Sequence, residues 1–217
     1  MSYLKLKCNS LDNLLGGGFN TNEITEIFGE PGSGKTNICL QASRQCTLKN
    51  KKVAYIFSGK LSLERLEQIC KKKNYKQVLS NIVFFNPKSF QEQEKIIQKA
   101  LKIDDVSLII LDTFNSFYRL MLEVNEKYAD RSLNRQITEL QIAAMENDIP
   151  IILTGEIYTS KTNEIKPFGG RIIERMINTV IKLEKVDIGK RKATLIKHKS
   201  GKSGENTIFK ITKHGLE

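Results

Sequence analysis

The chain has no tryptophan, and only two histidines, four cysteines and four prolines in 217 residues. Each shortage narrows the reading. Cys8, Cys39, Cys46 and Cys70 form no CxxC pair, which argues against a zinc site. Cys39 and Cys46 fall on an expected helix as reduced packing residues, which suits a reducing cytosol. No Pro- or Gly-rich linker divides the chain, and no internal repeat is visible. No apolar run approaches the roughly 20 residues of a membrane helix. The start, MSYLKLKCNS, lacks an apolar signal core. The expectation is a cytoplasmic protein with no membrane partner. Acidic residues are also in short supply, 24 against 35 Lys plus Arg, for a net charge of +11. Such an excess attracts a polyanion such as DNA or RNA without specifying where it binds.

What is present is ordinary globular material, with 40% hydrophobic residues and a length that suits one domain spanning residues 1–217. Short apolar runs alternate with helical stretches. Strands are expected at Ile24 to Phe28, Val53 to Phe57, Ile82 to Phe85, Leu108 to Leu111 and Ile149 to Thr154. Helices are expected at Thr36 to Leu48, at Leu61 to Lys72, and from Ser89, where Glu92 completes a capping box. A further helix from about Arg131 to Asn147 puts Leu133, Ile137, Leu140 and Ala144 on one face. This alternation implies an α/β fold, a mainly parallel sheet with helices on both faces. After residue 178 the pattern changes to Val180 to Leu183, Ala193 to Lys197 and Thr207 to Ile211, with little helix between them. That predicts an antiparallel extension at one C-terminal sheet edge.

The strongest signal is Gly29-Glu30-Pro31-Gly32-Ser33-Gly34-Lys35-Thr36, a full GxxxxGK[ST] between a strand and a helix. Glycines let backbone N–H groups turn inward around phosphate oxygens, and the helix N-terminus adds partial positive charge. Lys35 is expected to reach the β- and γ-phosphates of ATP, and the Thr36 hydroxyl to ligate Mg²⁺. The apolar strand Leu108-Ile109-Ile110-Leu111 ends in Asp112. A carboxylate delivered there, at the C-terminal edge of the sheet, is expected to hold Mg²⁺ through water.

The flanks narrow the class. Ser10-Leu11-Asp12-Asn13-Leu14-Leu15-Gly16-Gly17-Gly18-Phe19, followed by Ile24-Thr25-Glu26-Ile27-Phe28-Gly29, resembles the opening of the RecA/RadA recombinase core. Pro167-Phe168-Gly169-Gly170 resembles the end of that family's second DNA-binding loop. The tail Lys197-His198-Lys199-Ser200 and the short core are similar to the archaeal RadB paralogues. The resemblance runs from about Leu11 to Gly215. It implies a RecA-like ATPase core that binds single-stranded DNA and assists a RadA-type recombinase, with a Holliday-junction resolvase as a further candidate partner. The chain starts almost at the core, so neither an N-terminal helical DNA-binding domain nor a polymerisation linker is expected. That argues against long autonomous filaments and leaves a homo-oligomer open.

Further roles rest on the resemblance. Arg65, in Glu64-Arg65-Leu66, matches an Arg that stacks on adenine in relatives, a task suited to a planar guanidinium. Active members carry a water-positioning Glu after the second main strand; here Gly59 stands in its place, followed by Lys60. Hydrolysis needs a group to orient and deprotonate water, and glycine has none. Gly59→Glu is expected to raise hydrolysis unless the backbone at 59 requires positive φ. Relatives carry Asn-Gln after the strand that ends near Thr154, where this chain has Gly155-Glu156. Glu156 is a weak candidate for a replacement base.

The polar segment Tyr158 to Lys166 corresponds to the second DNA loop and is long enough to be mobile. Lys161, Lys166 and Arg171 are candidate phosphate contacts, with Tyr158 or Phe168 as a stacking face. Lys190-Arg191-Lys192, Lys197, Lys199 and Lys202 add a basic tail. Lys197 and Lys199 are candidates both for DNA and for reaching a neighbouring subunit's γ-phosphate. The leading reading is an ATP-binding, DNA-binding accessory protein of homologous recombination with weak or absent hydrolysis. The alternatives are an active DNA-dependent ATPase in strand exchange and a KaiC-like signalling ATPase.

Overall fold

The computed structural model describes residues 2–71, 74–159, 165–167, 175–199 and 202–217. In chain order the strands are β1 (Tyr3–Leu4), β2 (Phe19–Asn20), β3 (Ile24–Gly29), β4 (Lys52–Phe57), β5 (Ile82–Phe85), β6 (Val106–Asp112), β7 (Ile151–Gly155), β8 (Ile157–Thr159), β9 (Ile165–Pro167), β10 (Thr179–Asp187), β11 (Lys190–Lys197), β12 (Asn206–Thr212) and β13 (Gly215–Leu216). The helices are α1 (Asn9–Leu14), α2 (Lys35–Thr47), α3 (Leu63–Ile69), α4 (Tyr75–Ser80), α5 (Phe90–Ala100) and α6 (Ser116–Asn147). Nine strands form one sheet in the order β13-β12-β11-β10-β3-β7-β6-β4-β5. From β10 to β5 every neighbouring pair is parallel. From β10 outwards the pairs with β11, β12 and β13 are antiparallel. The mainly parallel sheet and its antiparallel C-terminal edge are as the sequence implies.

Alternation along the strands separates two apolar layers. On β6, Leu108 and Ile110 join α2, α3 and α4 on one face. Ile109 and Leu111 join α5 and α6 on the other. The face carrying α2 extends under the antiparallel edge through Leu183, Ala193, Leu195 and Phe209.

Three elements depart from the sequence reading. Helix α6 starts at Ser116, well before Arg131, and is interrupted at Asn125 (φ −158°, ψ 92°). Asn125 Oδ1 accepts the Tyr128 N–H at 3.0 Å, so it caps the second half. The sequence reading begins the helix past the break at Asn125; the first half turns Phe117, Tyr118, Met121 and Leu122 to the core and leaves Leu120 and Val124 exposed. Helix α3 stops at Ile69 and the separate α4 follows it. The expected polar loop, Tyr158 to Lys166, begins and ends in strand, since β8 pairs antiparallel with β9.

Candidate functional site

Strand β3 delivers Gly29 at the C-terminal edge of the sheet, and α2 leaves from Lys35. Between them Gly34 has φ +109°, in the left-handed region that favours glycine. That turn aims the N-terminus of α2 into the loop. Gly34 has a second reason to lack a side chain, since a Cβ there would stand 2.7 Å from Ile211 Cδ1. Lys35 Nζ folds back over the loop and donates to the Gly29 carbonyl at 2.6 Å and the Glu30 carbonyl at 3.1 Å. Burial pulls the pKa of this ammonium down, while the nearby charges of Asp112 and Glu156 oppose the shift. Ser33 Oγ is fully buried and has no hydrogen-bond partner among the described residues.

Asp112 ends β6 and is nearly buried. Tyr55 from β4 donates its hydroxyl to Oδ2 at 2.9 Å, and Thr154 from β7 donates to Oδ1 at 2.6 Å. The two strands flanking β6 thus clamp the carboxylate from both sides. Burial first, then the Asp112 charge, pushes the Tyr55 phenol well above its usual value, so it stays a donor. Neither Tyr55 nor Thr154 carries a motif. Their role follows from strand order, which local sequence does not display.

These residues fit a magnesium triphosphate. Loop amides and Lys35 would face phosphate oxygens, Thr36 would ligate the ion directly, and Asp112 would hold its water shell. Among the described residues no cluster of three His, Cys, Asp or Glu side chains offers an all-protein metal site. A cation here would depend on the phosphates for part of its coordination.

Gly59 lies in the exposed turn after β4, in line with the phosphate loop edge. The preceding Ser58 is stitched to β6, its N–H donating to the Asp112 carbonyl at 2.9 Å and its hydroxyl to the Thr113 carbonyl at 3.1 Å. Gly59 has φ +93°, and among the described residues no atom outside its chain neighbours would lie within 4 Å of a Cβ there. The backbone therefore needs glycine although the space does not. Glu156 follows β7, with its N–H on Asn115 Oδ1 at 2.9 Å. Its carboxylate pairs with Arg119 at 3.3 Å on the surface.

Arg65 is held edge-on. Its Nε donates to Asn37 Oδ1 at 2.6 Å, Nη1 to the Lys213 carbonyl at 3.0 Å and Nη2 to the Thr212 carbonyl at 2.8 Å. These in-plane bonds fix the orientation of the guanidinium. A groove of about 430 Å³ lies alongside, lined by Gln68, Lys213 and His214 among others.

The basic tail is divided by the sheet. Lys197 donates to the Ile177 carbonyl at 2.6 Å, and Lys199 pairs with the buried Glu23. Both stand at the N-terminal edge, where Lys197 is in register with Val180. Arg191 stands at the opposite edge and donates to the Gly32 carbonyl of the phosphate loop at 3.1 Å. Lys185 of β10 also leans on Gly32. Arg191 and Lys185 are neighbours of the site that the sequence reading did not place there. Lys161 and Arg171 lie outside the described residues, and the backbone of Lys166 pairs with that of Tyr158.

Comparison with known proteins bears on the family and the fold. The Rad51 family model matches residues 2–217. A DNA repair and recombination protein RadB of Methanococcoides burtonii is 39% identical, covering 96% of this chain and 95% of that protein. RadB proteins of Methanococcus maripaludis and Thermoplasma acidophilum are 39% and 36% identical, each over 95% of this chain. A crystal structure described as the RadB recombinase superposes with a TM-score of 0.87 at 32% identity, covering 99% of this chain and 98% of its own. Among the described residues no helix is long and apolar enough to cross a membrane. In sequence and overall fold alike, the chain belongs to the Rad51 family, on its archaeal RadB branch.

Proposed function

We propose that this chain is an accessory protein of homologous recombination and DNA repair that binds ATP, Mg²⁺ and DNA and hydrolyses ATP weakly. Its relatives' names support the process, and the site supports the chemistry. One contrast carries the reading. The parts that hold a triphosphate are complete, Lys35 and Thr36 on α2 and the clamped Asp112 on β6. The position expected to orient water is a glycine with φ +93°, and the nearby carboxylate of Glu156 is engaged by Arg119. Binding and catalysis draw on different residues, so one can persist without the other. ATP then acts as a conformational ligand that favours the state gripping single-stranded DNA or a RadA-type recombinase. A Holliday-junction resolvase is a further partner to assay.

Two measurements test this. Titration calorimetry with ATP–Mg²⁺ should show binding by the wild type and none by Lys35→Ala. Phosphate release should run far below the enzyme median of about 10 per second, with or without single-stranded DNA. Brisk DNA-stimulated release would establish an active ATPase in place of an accessory factor.

A further inference from the structure

The antiparallel edge does more than widen the sheet, for its inner face backs the phosphate loop strand by strand. A Cβ at Gly29 would collide with the Leu183 carbonyl of β10, one at Gly32 would stand 3.3 Å from Lys185 Nζ, and one at Gly34 2.7 Å from Ile211 Cδ1 of β12. Arg191 of β11 adds a polar grip. Its Nη1 is anchored on its own hairpin, donating to the Lys190 carbonyl at 2.8 Å and the Asp187 carbonyl at 3.3 Å. Its Nη2 and Nε reach across to the Gly32 carbonyl at 3.1 and 3.3 Å. No carboxylate among the described residues pairs with it.

The consequence follows from peptide geometry. A trans peptide points its C=O and its N–H in opposite directions. With the Gly32 carbonyl held outward, the Ser33 N–H is turned inward. There it donates to the Glu30 carbonyl at 3.1 Å. Lys35 Nζ reaches that same oxygen, also at 3.1 Å. The two donors converge on one point of the loop interior, where a phosphate oxygen could take both. A cation on the carbonyl side also polarises the amide and strengthens its N–H as a donor.

The geometry points to Arg191 as a positioning residue, one that fixes the Gly32–Ser33 peptide so that its N–H faces the triphosphate. This rests on the reading of the loop as an ATP site. Lys192, the next residue, belongs to the other face of β11 by strand alternation and serves as a matched control of equal charge.

The test is titration of ATP–Mg²⁺, without DNA and at fixed ionic strength, into wild type, Lys35→Ala, Arg191→Ala, Arg191→Lys and Lys192→Ala. Arg191→Ala should weaken binding about tenfold, the scale of one charge-assisted hydrogen bond. Lys192→Ala should bind as the wild type does. Arg191→Lys should fall between. Guanidinium chloride, kept far below denaturing concentrations and matched against potassium chloride, should restore part of the affinity of Arg191→Ala. A purely structural role would not respond to it. Wild-type affinity in Arg191→Ala overturns the assignment, and so does an equal loss in Lys192→Ala. If Arg191→Ala melts early without nucleotide, Arg191→Lys decides. Intermediate affinity with normal melting supports the role, and wild-type affinity overturns it. A wild type that binds no nucleotide overturns the ATP reading itself and this inference with it.

Discussion

Glu26 lies on the central strand β3, almost wholly buried, and its Oε2 has no hydrogen-bond partner among the described residues. Burial pushes its carboxyl from the ordinary 4.5 up to about 8. The folded chain therefore keeps this proton through neutral pH, while an unfolded chain releases it near 4.5. Between those values the folded state holds one more proton than the unfolded state. The contribution to stability is complete below the unfolded value and is lost as pH rises towards the folded one, by on the order of a few kcal/mol. Glu26→Gln should remove this decline, so urea unfolding at pH 5 and pH 8 should differ less than in the wild type. An unchanged decline in the variant would assign the pH dependence to another group. Gly59 is the second residue-scale case. Its left-handed backbone costs a non-glycine residue roughly 1–2 kcal/mol. Gly59→Glu is therefore expected to lower stability by about that amount and leave phosphate release at the wild-type level. A variant that hydrolyses briskly would show that only the side chain was missing.

At the scale of elements, the two halves of α6 make a contrast that can be measured. Its second half buries Leu133, Ile137 and Leu140 completely, while Val124 in the first half is 79% exposed. Ile137→Ala should cost about 2–5 kcal/mol through reduced burial and the cavity left behind. Val124→Ala should stay within about 0.5 kcal/mol. Chemical denaturation of both variants checks this, and equal losses would mean that the first half is packed as tightly as the second. The second half was legible in the sequence because a buried helical face imposes its period on apolar residues. The first half was not, since the break at Asn125, capped by its own side chain, puts Phe117, Tyr118, Met121 and Leu122 out of step with that period. Helix α5 was legible at its start for a chemical reason. Ser89 Oγ accepts the Glu92 N–H at 3.1 Å, and Glu92 Oε2 in turn accepts the Lys88 N–H at 2.7 Å.

For the whole molecule the excess of +11 predicts binding to single-stranded DNA that weakens steeply with salt. Replacing Lys161, Lys166 and Arg171 together by Ala should lower the slope of log affinity against log salt by about two units, roughly 0.7 for each phosphate no longer neutralised. Fluorescence anisotropy across a salt series measures it, and an unchanged slope would place the DNA elsewhere. Net charge is a property of composition, so it could be read without a fold. The strand–glycine turn–helix segment of the phosphate loop, the strand ending in Asp112 and the mainly parallel character of the sheet were legible too. Each is carried by contiguous residues whose local chemistry or period is sufficient. The partition of the basic tail was not. Strand β11 has eight residues and carries its two ends about 23 Å apart at roughly 3.3 Å per residue. Arg191 thus meets the phosphate loop while Lys197 and Lys199 stand at the far edge, although the sequence shows them as one run of charge. The clamp of Tyr55 and Thr154 on Asp112 has the same origin, because β4, β6 and β7 become neighbours only through long-range pairing. The sequence by itself determined which backbone segments exist and which residues make up the proposed ATP site. Tertiary structure decided which distant side chains face them, because strand register brings together residues that no local pattern connects.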